Sequence, residues 1–400
     1  VAIGTGVLDA NTTASYNSAV GYAALSGNTT GANNTGIGYS ALISNTTAGY
    51  NTAVGHSALF SNTEGVGNVA IGQSALYTNT TESYQTAIGY SALANNTSGT
   101  HNVAIGVDAL NDNTTGDYNT TVGSWSLDAN TTGIKNVAVG YAALGTNTTA
   151  ISNTAVGYIS LGVNTEGAEN TAIGREALYA NTTADYNTAV GYRSLYVNTT
   201  GAKNTAVGHM ALSANTTGSE NVAFGRYALQ VNTTASYNTA IGYRALVTNV
   251  TGNKNTAIGY QALVNSTGNE NTAVGHACLD ATTGSGLTAI GYTALGANTT
   301  GASNVAVGYR SLADNTIGYN CTAVGFRAME DNIEGNHNTA VGQGSLKNIT
   351  DTDQNTAVGH DTLSASTSEK NTVVGCYGAN AVTSGVENTI IGYHAMTTAT

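Results

Sequence analysis

Apolar and polar positions recur along the chain every 17 residues. One glycine marks the beat at Gly4, Gly21, Gly38, Gly55, Gly72, Gly89, Gly106, Gly123, Gly140 and on to Gly392, in 24 copies with three steps of 16 in the C-terminal part. The stretch Asn51 to Gly67 serves as the specimen, its residues numbered as positions 1 to 17. Only two positions are reliably large and apolar. Position 4, before the glycine, is Val or Ile everywhere but Phe224; position 9 is Leu except at Met329, Ala379 and Met396. Position 3 is nearly always Ala, position 8 is small except at Val7, position 1 is Asn except at Gln85, Leu287 and Cys321, and positions 12 to 14 usually read Asn-Thr-Thr.

A period this short suits one coil of a β-solenoid and is too short for a helix pair, which takes roughly 33 residues or more. Positions 2 to 4 carry β-favouring Thr, Val and Ile and are expected to be a strand. The position-5 glycine ends it. Asn and Gly at positions 12 to 15 predict a turn. Positions 6 to 11 are expected to be a second strand or one helical turn, since Ala and Leu favour helix. Strand side chains alternate between faces. Positions 4 and 9 are therefore expected to fill the coil, leaving a flat outer face of position-3 alanine and position-5 glycine where another backbone can approach.

The fold expected is all-β: a repetitive parallel β-solenoid or β-roll, one coil per 17 residues, in a homotrimeric rod. The alternative is a single-chain solenoid with a short helical turn per coil. Residues 1–400 read as a single tandem array whose first and last copies are incomplete. With strands about 4.8 Å apart, the array would run on the order of 115 Å. It starts and stops mid-repeat without a visible capping unit, so a segment of a longer fibre is expected.

Composition narrows the class further. Charged residues make up 8% and proline is absent, which is not a disordered composition. The net charge of −12 reflects few basic residues, and no basic stripe offers itself to nucleic acid. Arg193, Arg244, Arg310 and Arg327 share position 7 and read as a solvated face. No apolar run is long enough for a membrane helix. Cys278 and Cys321 are three coils apart, ~14 Å by strand spacing, too far for a disulfide.

No catalytic residue, metal site or cofactor is expected. His56, His209, His276 and His360 fall at position 6, where Tyr is usual, and read as substitutions in a stacked aromatic column. The evenly spaced glycines form no phosphate or dinucleotide fingerprint. The position-1 asparagines are expected to ladder amide to amide. The strongest chemical signal is the sequon N-x-[ST] at the position-12 turn or one residue earlier: Asn11, Asn28, Asn45, Asn79, Asn96, Asn113, Asn130, Asn147, Asn181, Asn198, Asn215, Asn232, Asn249, Asn265, Asn298 and Asn348. These are candidate N-glycosylation sites, or plain Asx-turn chemistry. Threonine columns at positions 2, 13 and 14 add a regular hydroxyl lattice that an ice-binding solenoid could use, although alternate Thr residues on one flat strand do not recur from copy to copy.

The phrases Val1-Ala2-Ile3-Gly4, Asn68-Val69-Ala70-Ile71-Gly72 and Asn102-Val103-Ala104-Ile105-Gly106 resemble the head repeat of trimeric autotransporter adhesins, and shaft repeats of phage-type tail fibres. The resemblance runs the length of the chain over a few residues per copy. It lacks the family's Ser after Asn, and its turn is longer. It implies a left-handed parallel β-roll of three chains, and it carries over no catalytic or ligand residue. The function expected is an extracellular or cell-surface structural fibre or adhesin shaft, not an enzyme. Such a shaft would associate into a homotrimer or longer filament and display many weak contacts, to surface glycans or matrix. The alternatives are a phage-like tail-fibre shaft in glycan recognition and an ice-binding solenoid.

Overall fold

A computed structural model of the chain describes residues 1–380, 382 and 385–396. Parts of one late turn (381, 383 and 384) and the end of the last copy lie outside the described residues. The fold is an all-β parallel β-solenoid, and no helix occurs among the described residues. Two compact units, Val1–Lys203 and Asn204–Thr400, are each a stack of such coils.

Strands of two or three residues, from Ala2–Ile3 to Thr389–Ile391, sit at positions 2 to 4 of every coil. Neighbours pair in parallel without slippage: Thr52 faces Val69, Ala53 faces Ala70 and Val54 faces Ile71. A 16-residue step keeps the same register, Thr256 opposite Thr272 and Ile258 opposite Val274, so the missing residue is absorbed in the turn. The rest of the coil pairs as well. Ser57 N donates to Tyr39 O at 2.8 Å, and Leu42 N donates to Ala58 O at 3.1 Å. The backbone's hydrogen-bonding demand is thus met chiefly by coils above and below.

The strand faces opposite to expectation. Position-3 alanines such as Ala19, Ala53, Ala70 and Ala104 are fully buried, whereas Ile37 and Ile71 at position 4 remain 41% and 38% exposed. The alanine face is thus the interior wall, and the expected outer alanine–glycine surface does not exist. Coil width is the cause. A Cβ added at Gly36, position 3, would already lie 3.2 Å from Leu25 Cγ on the opposite wall. One Leu and one Ala fill the gap in most coils, and residues larger than Ala at position 3 are few: Thr121, Val373 and Ile390. The coil beginning at Asn371 inverts the rule with compensation: position 3 is Val373, positions 8 and 9 are Gly378 and Ala379, and Val373 is buried.

Positions 6 to 11 are neither a second strand nor a helical turn. They form a run of turns in which positions 7 and 9 take left-handed backbone, Ser57 at φ 55° and Leu59 at φ 52°. Position 17 does the same, as at Tyr50 (φ 62°) and Tyr84 (φ 61°). Bulky residues seldom adopt this region. Here the stack over-determines it, since each such residue is bonded to a neighbouring coil and Leu59 is fully buried. The turn glycines Gly21, Gly38, Gly55, Gly72, Gly89, Gly106, Gly123 and Gly140 have φ between 132° and 145°, open to glycine alone.

Candidate functional site

Two asparagine columns line the interior. Within one coil, Asn34 at position 1 and Asn45 at position 12 both donate through Nδ2 to Ala48 O, at 2.8 and 3.0 Å. In the next coil Asn51 and Asn62 converge on Gly65 O in the same way. The two columns differ between coils. At position 12 the ladder is amide to amide, with Asn45 Nδ2 donating to Asn28 Oδ1 at 2.8 Å. At position 1 the Oδ1 instead accepts a backbone N–H, Asn51 N to Asn34 Oδ1 at 2.9 Å. The amide-to-amide ladder expected at position 1 therefore belongs mainly to position 12. Where position 12 is not Asn a hydroxyl can substitute: Asn298 Nδ2 donates to Thr282 Oγ1 at 2.9 Å.

This geometry divides the sequons. Asn28, Asn45, Asn79, Asn96, Asn113, Asn130, Asn147, Asn181, Asn198, Asn215, Asn232, Asn249 and Asn298 are fully buried. The Nδ2 that a glycan would occupy is already a ladder donor, as at Asn113 and Asn130. Asn11, in the first coil, is half-buried. Asn265 and Asn348 are exposed, because Ser266 and Ile349 take the inner position 12 in their coils. Further sequons that were not singled out also sit outside, at Asn33, Asn95 and Asn320. The signal separating the two sets is a one-residue offset from the interior position.

Aromatic columns run along the outside. In the second unit Tyr243, Tyr260, His276, Tyr292, Tyr309 and Phe326 stack with ring centroids 5.0 to 5.4 Å apart. In the first unit Tyr22, Tyr39 and His56 do likewise at 5.1 and 5.0 Å. The position-6 histidines His56 and His276 thus sit in the column as read from sequence. Stacking has a chemical consequence. Ring faces inside a column are covered by neighbouring rings, so solvent meets edges, whereas a sugar needs a free face.

The position-7 arginines are not a uniform solvated face. Arg310 Nε lies 2.5 Å from Glu330 Oε1, and Arg327 Nε pairs with the other oxygen of the same buried carboxylate. Burial pushes the Glu330 carboxyl up, but the hydrogen bonds and charges of Arg327 and Arg310 outweigh it and hold the group below its ordinary range. Glu176 is clamped in the same manner by Arg193 at 2.5 Å and Arg175 at 3.1 Å, and its carboxyl is also held low, chiefly by the Arg193 hydrogen bond. Asp128 goes the other way. Burial, then Asp112 and Asp108, raise it to about 6.

The thiols of Cys278 and Cys321 are buried and unpaired, pushed up by desolvation to about 12 and about 11. Both therefore lack the thiolate that nucleophilic chemistry requires. Among the described residues no group of His, Cys, Asp and Glu is placed to hold a metal ion. No described helix is long and apolar enough to cross a membrane. No protein-family model and no curated protein matches the chain.

Proposed function

We propose that this chain is a structural shaft: an extracellular or cell-surface fibre element that supplies reach, stiffness and repeated display. The observation that carries the reading is the double asparagine ladder closed on one carbonyl per coil, at Ala48 and again at Gly65. It commits the interior to holding coil on coil. An interior of this kind supports mechanical continuity. Solenoid stability is a sum of neighbouring-coil terms, so such a stack can lengthen by adding copies.

The adhesin resemblance supports an outer surface location and a homotrimer or longer filament. The expected alanine–glycine face no longer supports that association, because its alanines are internal. Contacts between copies would use the outward strand face or the aromatic edges. Glycan recognition by a tail-fibre shaft is the weaker reading, since ring faces within the columns are covered.

Mass per unit length of the native particle tests the proposal. A 17-residue coil per ~4.8 Å of fibre means one chain, and three such coils mean a trimer. A compact particle with no fibrous dimension would overturn the shaft reading.

A further inference from the structure

The outward strand face has a composition that a shaft does not need. From Thr35 to Val190 in the first unit, every residue at positions 2 and 4 is Thr, Val or Ile. The second unit repeats the pattern with Phe224 as its exception. Valine and threonine are isosteric and isoleucine is one methylene longer, so each strand offers two β-branched side chains side by side. No charged residue occurs in either column. The position-2 hydroxyls of Thr52, Thr86, Thr120 and Thr154 make no hydrogen bond within the chain. The position-13 threonines are different: Thr29 Oγ1 donates to Thr46 O at 3.0 Å, and Thr114 Oγ1 to Thr131 O at 2.9 Å. Position 13 therefore adds nothing to the hydroxyls open to solvent, which lie at position 2 on the strand and at position 14 in the turn, and only the position-2 set lies on the paired strands.

Register makes this a lattice and not a patch. Thr86 faces Val103, Val103 faces Thr120, Thr120 faces Val137 and Val137 faces Thr154, each one strand along. The columns repeat every ~4.8 Å along the stack, and the two positions lie ~6.6 Å apart along each strand. These repeats approximate the oxygen spacings on a face of hexagonal ice. Branched methyl groups order water next to them, and free hydroxyls anchor that water by hydrogen bonds.

We propose that this threonine–valine/isoleucine face is an ice-binding surface, a function beyond that of a shaft. The argument for ice over a second copy of the chain is chemical complementarity. The face carries no charge, and ice presents none. Its hydroxyls, on alternate rungs from Thr86 to Thr154, each need a donor and an acceptor, which a water lattice supplies. The position-4 side chains expose only part of their surface, as at Ile37 and Ile71, leaving a shallow strip for a protein interface to bury.

The test uses the full chain. Thermal hysteresis and exclusion from a growing ice boundary are measured for wild type and for T86K/T120K/T154K, which places three charges on the face. The control S98K/T132K charges exposed position-14 residues in the same unit. The wild type is expected to separate freezing from melting and to be incorporated into ice. The triple variant should lose at least fivefold of the hysteresis, and the control should stay within twofold. V122T/V156T, which keeps shape and adds hydroxyls, should also stay within twofold, so a misfolded lysine variant does not leave the outcome undecided. A wild type with no hysteresis and no ice incorporation overturns the proposal. So does a folded triple variant as active as wild type. Self-association that buries the face, broken by the same lysines, overturns it too while leaving the shaft reading standing.

Discussion

Asn34 and Asn45, on opposite sides of one turn, aim their amide nitrogens at the same carbonyl oxygen, that of Ala48, from 2.8 and 3.0 Å. This convergence ties the strand to the far turn of its own coil. The remaining amide oxygens accept from the following coil, Asn34 from the Asn51 backbone and Asn45 from Asn62 Nδ2. Each asparagine therefore works both around the coil and along the stack.

Asn45→Ala removes donors to Asn28 Oδ1 and Ala48 O, and an acceptor for Asn62. Leaving buried polar groups unpaired costs about 2 kcal/mol. Hydrogen exchange should show the loss of protection concentrated in the coils around residue 45, because stability in a stack is local to neighbouring coils. Uniform loss across both units would count against the ladder as a local tie.

Gly89→Ala is expected to disrupt its coil. A Cβ there would lie 2.1 Å from Gly106 O, on a backbone with φ 145°. Gly6→Ala is the contrast: its φ is 65° and the nearest atom to a new Cβ is 4.0 Å away. Left-handed backbone alone costs roughly 1–2 kcal/mol for an L-residue. Thermal unfolding of the two variants should rank Gly89→Ala far below Gly6→Ala, and equal midpoints would refute the close-approach argument.

The Glu330 clamp predicts a reversal of pH dependence. In the wild type its carboxyl is held low, so its stabilisation is present above the ordinary carboxylate value of 4.5 and is lost as pH falls through the folded value. In R310A/R327A burial acts without compensation. The folded carboxyl then titrates above its unfolded value, and stability rises on acidification. Loss of both partners from a buried charge costs about 3 kcal/mol near neutrality. Urea denaturation at several pH values reads both sign and size; an unchanged slope would show that the clamp does not set the Glu330 charge.

Asp128 already behaves in that second manner. Its folded value of about 6 exceeds the ordinary 3.8, so its protonated form favours folding. The contribution is complete below about 4 and disappears as pH rises through about 6. Asp128→Asn should stabilise the chain at pH 8 by about 1 kcal/mol, after discounting for its part-exposed position, with the gain vanishing at pH 4. A gain independent of pH would place the effect elsewhere.

In a glycosylating host, the exposed sequons Asn265 and Asn348 are expected to accept glycan on folded protein, and the ladder asparagines Asn45 and Asn113 to stay bare. Glycopeptide mapping reads this directly. Full occupancy at Asn113 in a protein with native strand signal would contradict the buried ladder.

The repeat itself determines much of this protein. The 17-residue beat, the strand at positions 2 to 4, the glycine that ends it and the parallel coil architecture follow from recurrence and local propensity, as Thr52–Val54 and Gly55 illustrate. Stacking of His276 between Tyr260 and Tyr292 follows from the column alone. Sidedness does not follow. Alternation requires positions 3 and 4 to face opposite ways but does not say which is inside. That depends on the distance to the opposite wall, set by Leu25 and its equivalents, and only the folded coil fixes it. With that distance fixed, Ala53 turns inward, Val54 and Thr52 turn outward, and Asn45 leaves the turn surface for the interior. The compensation of Val373 by Gly378 and Ala379 is a trace of this constraint in the sequence, visible once the two walls are known to touch.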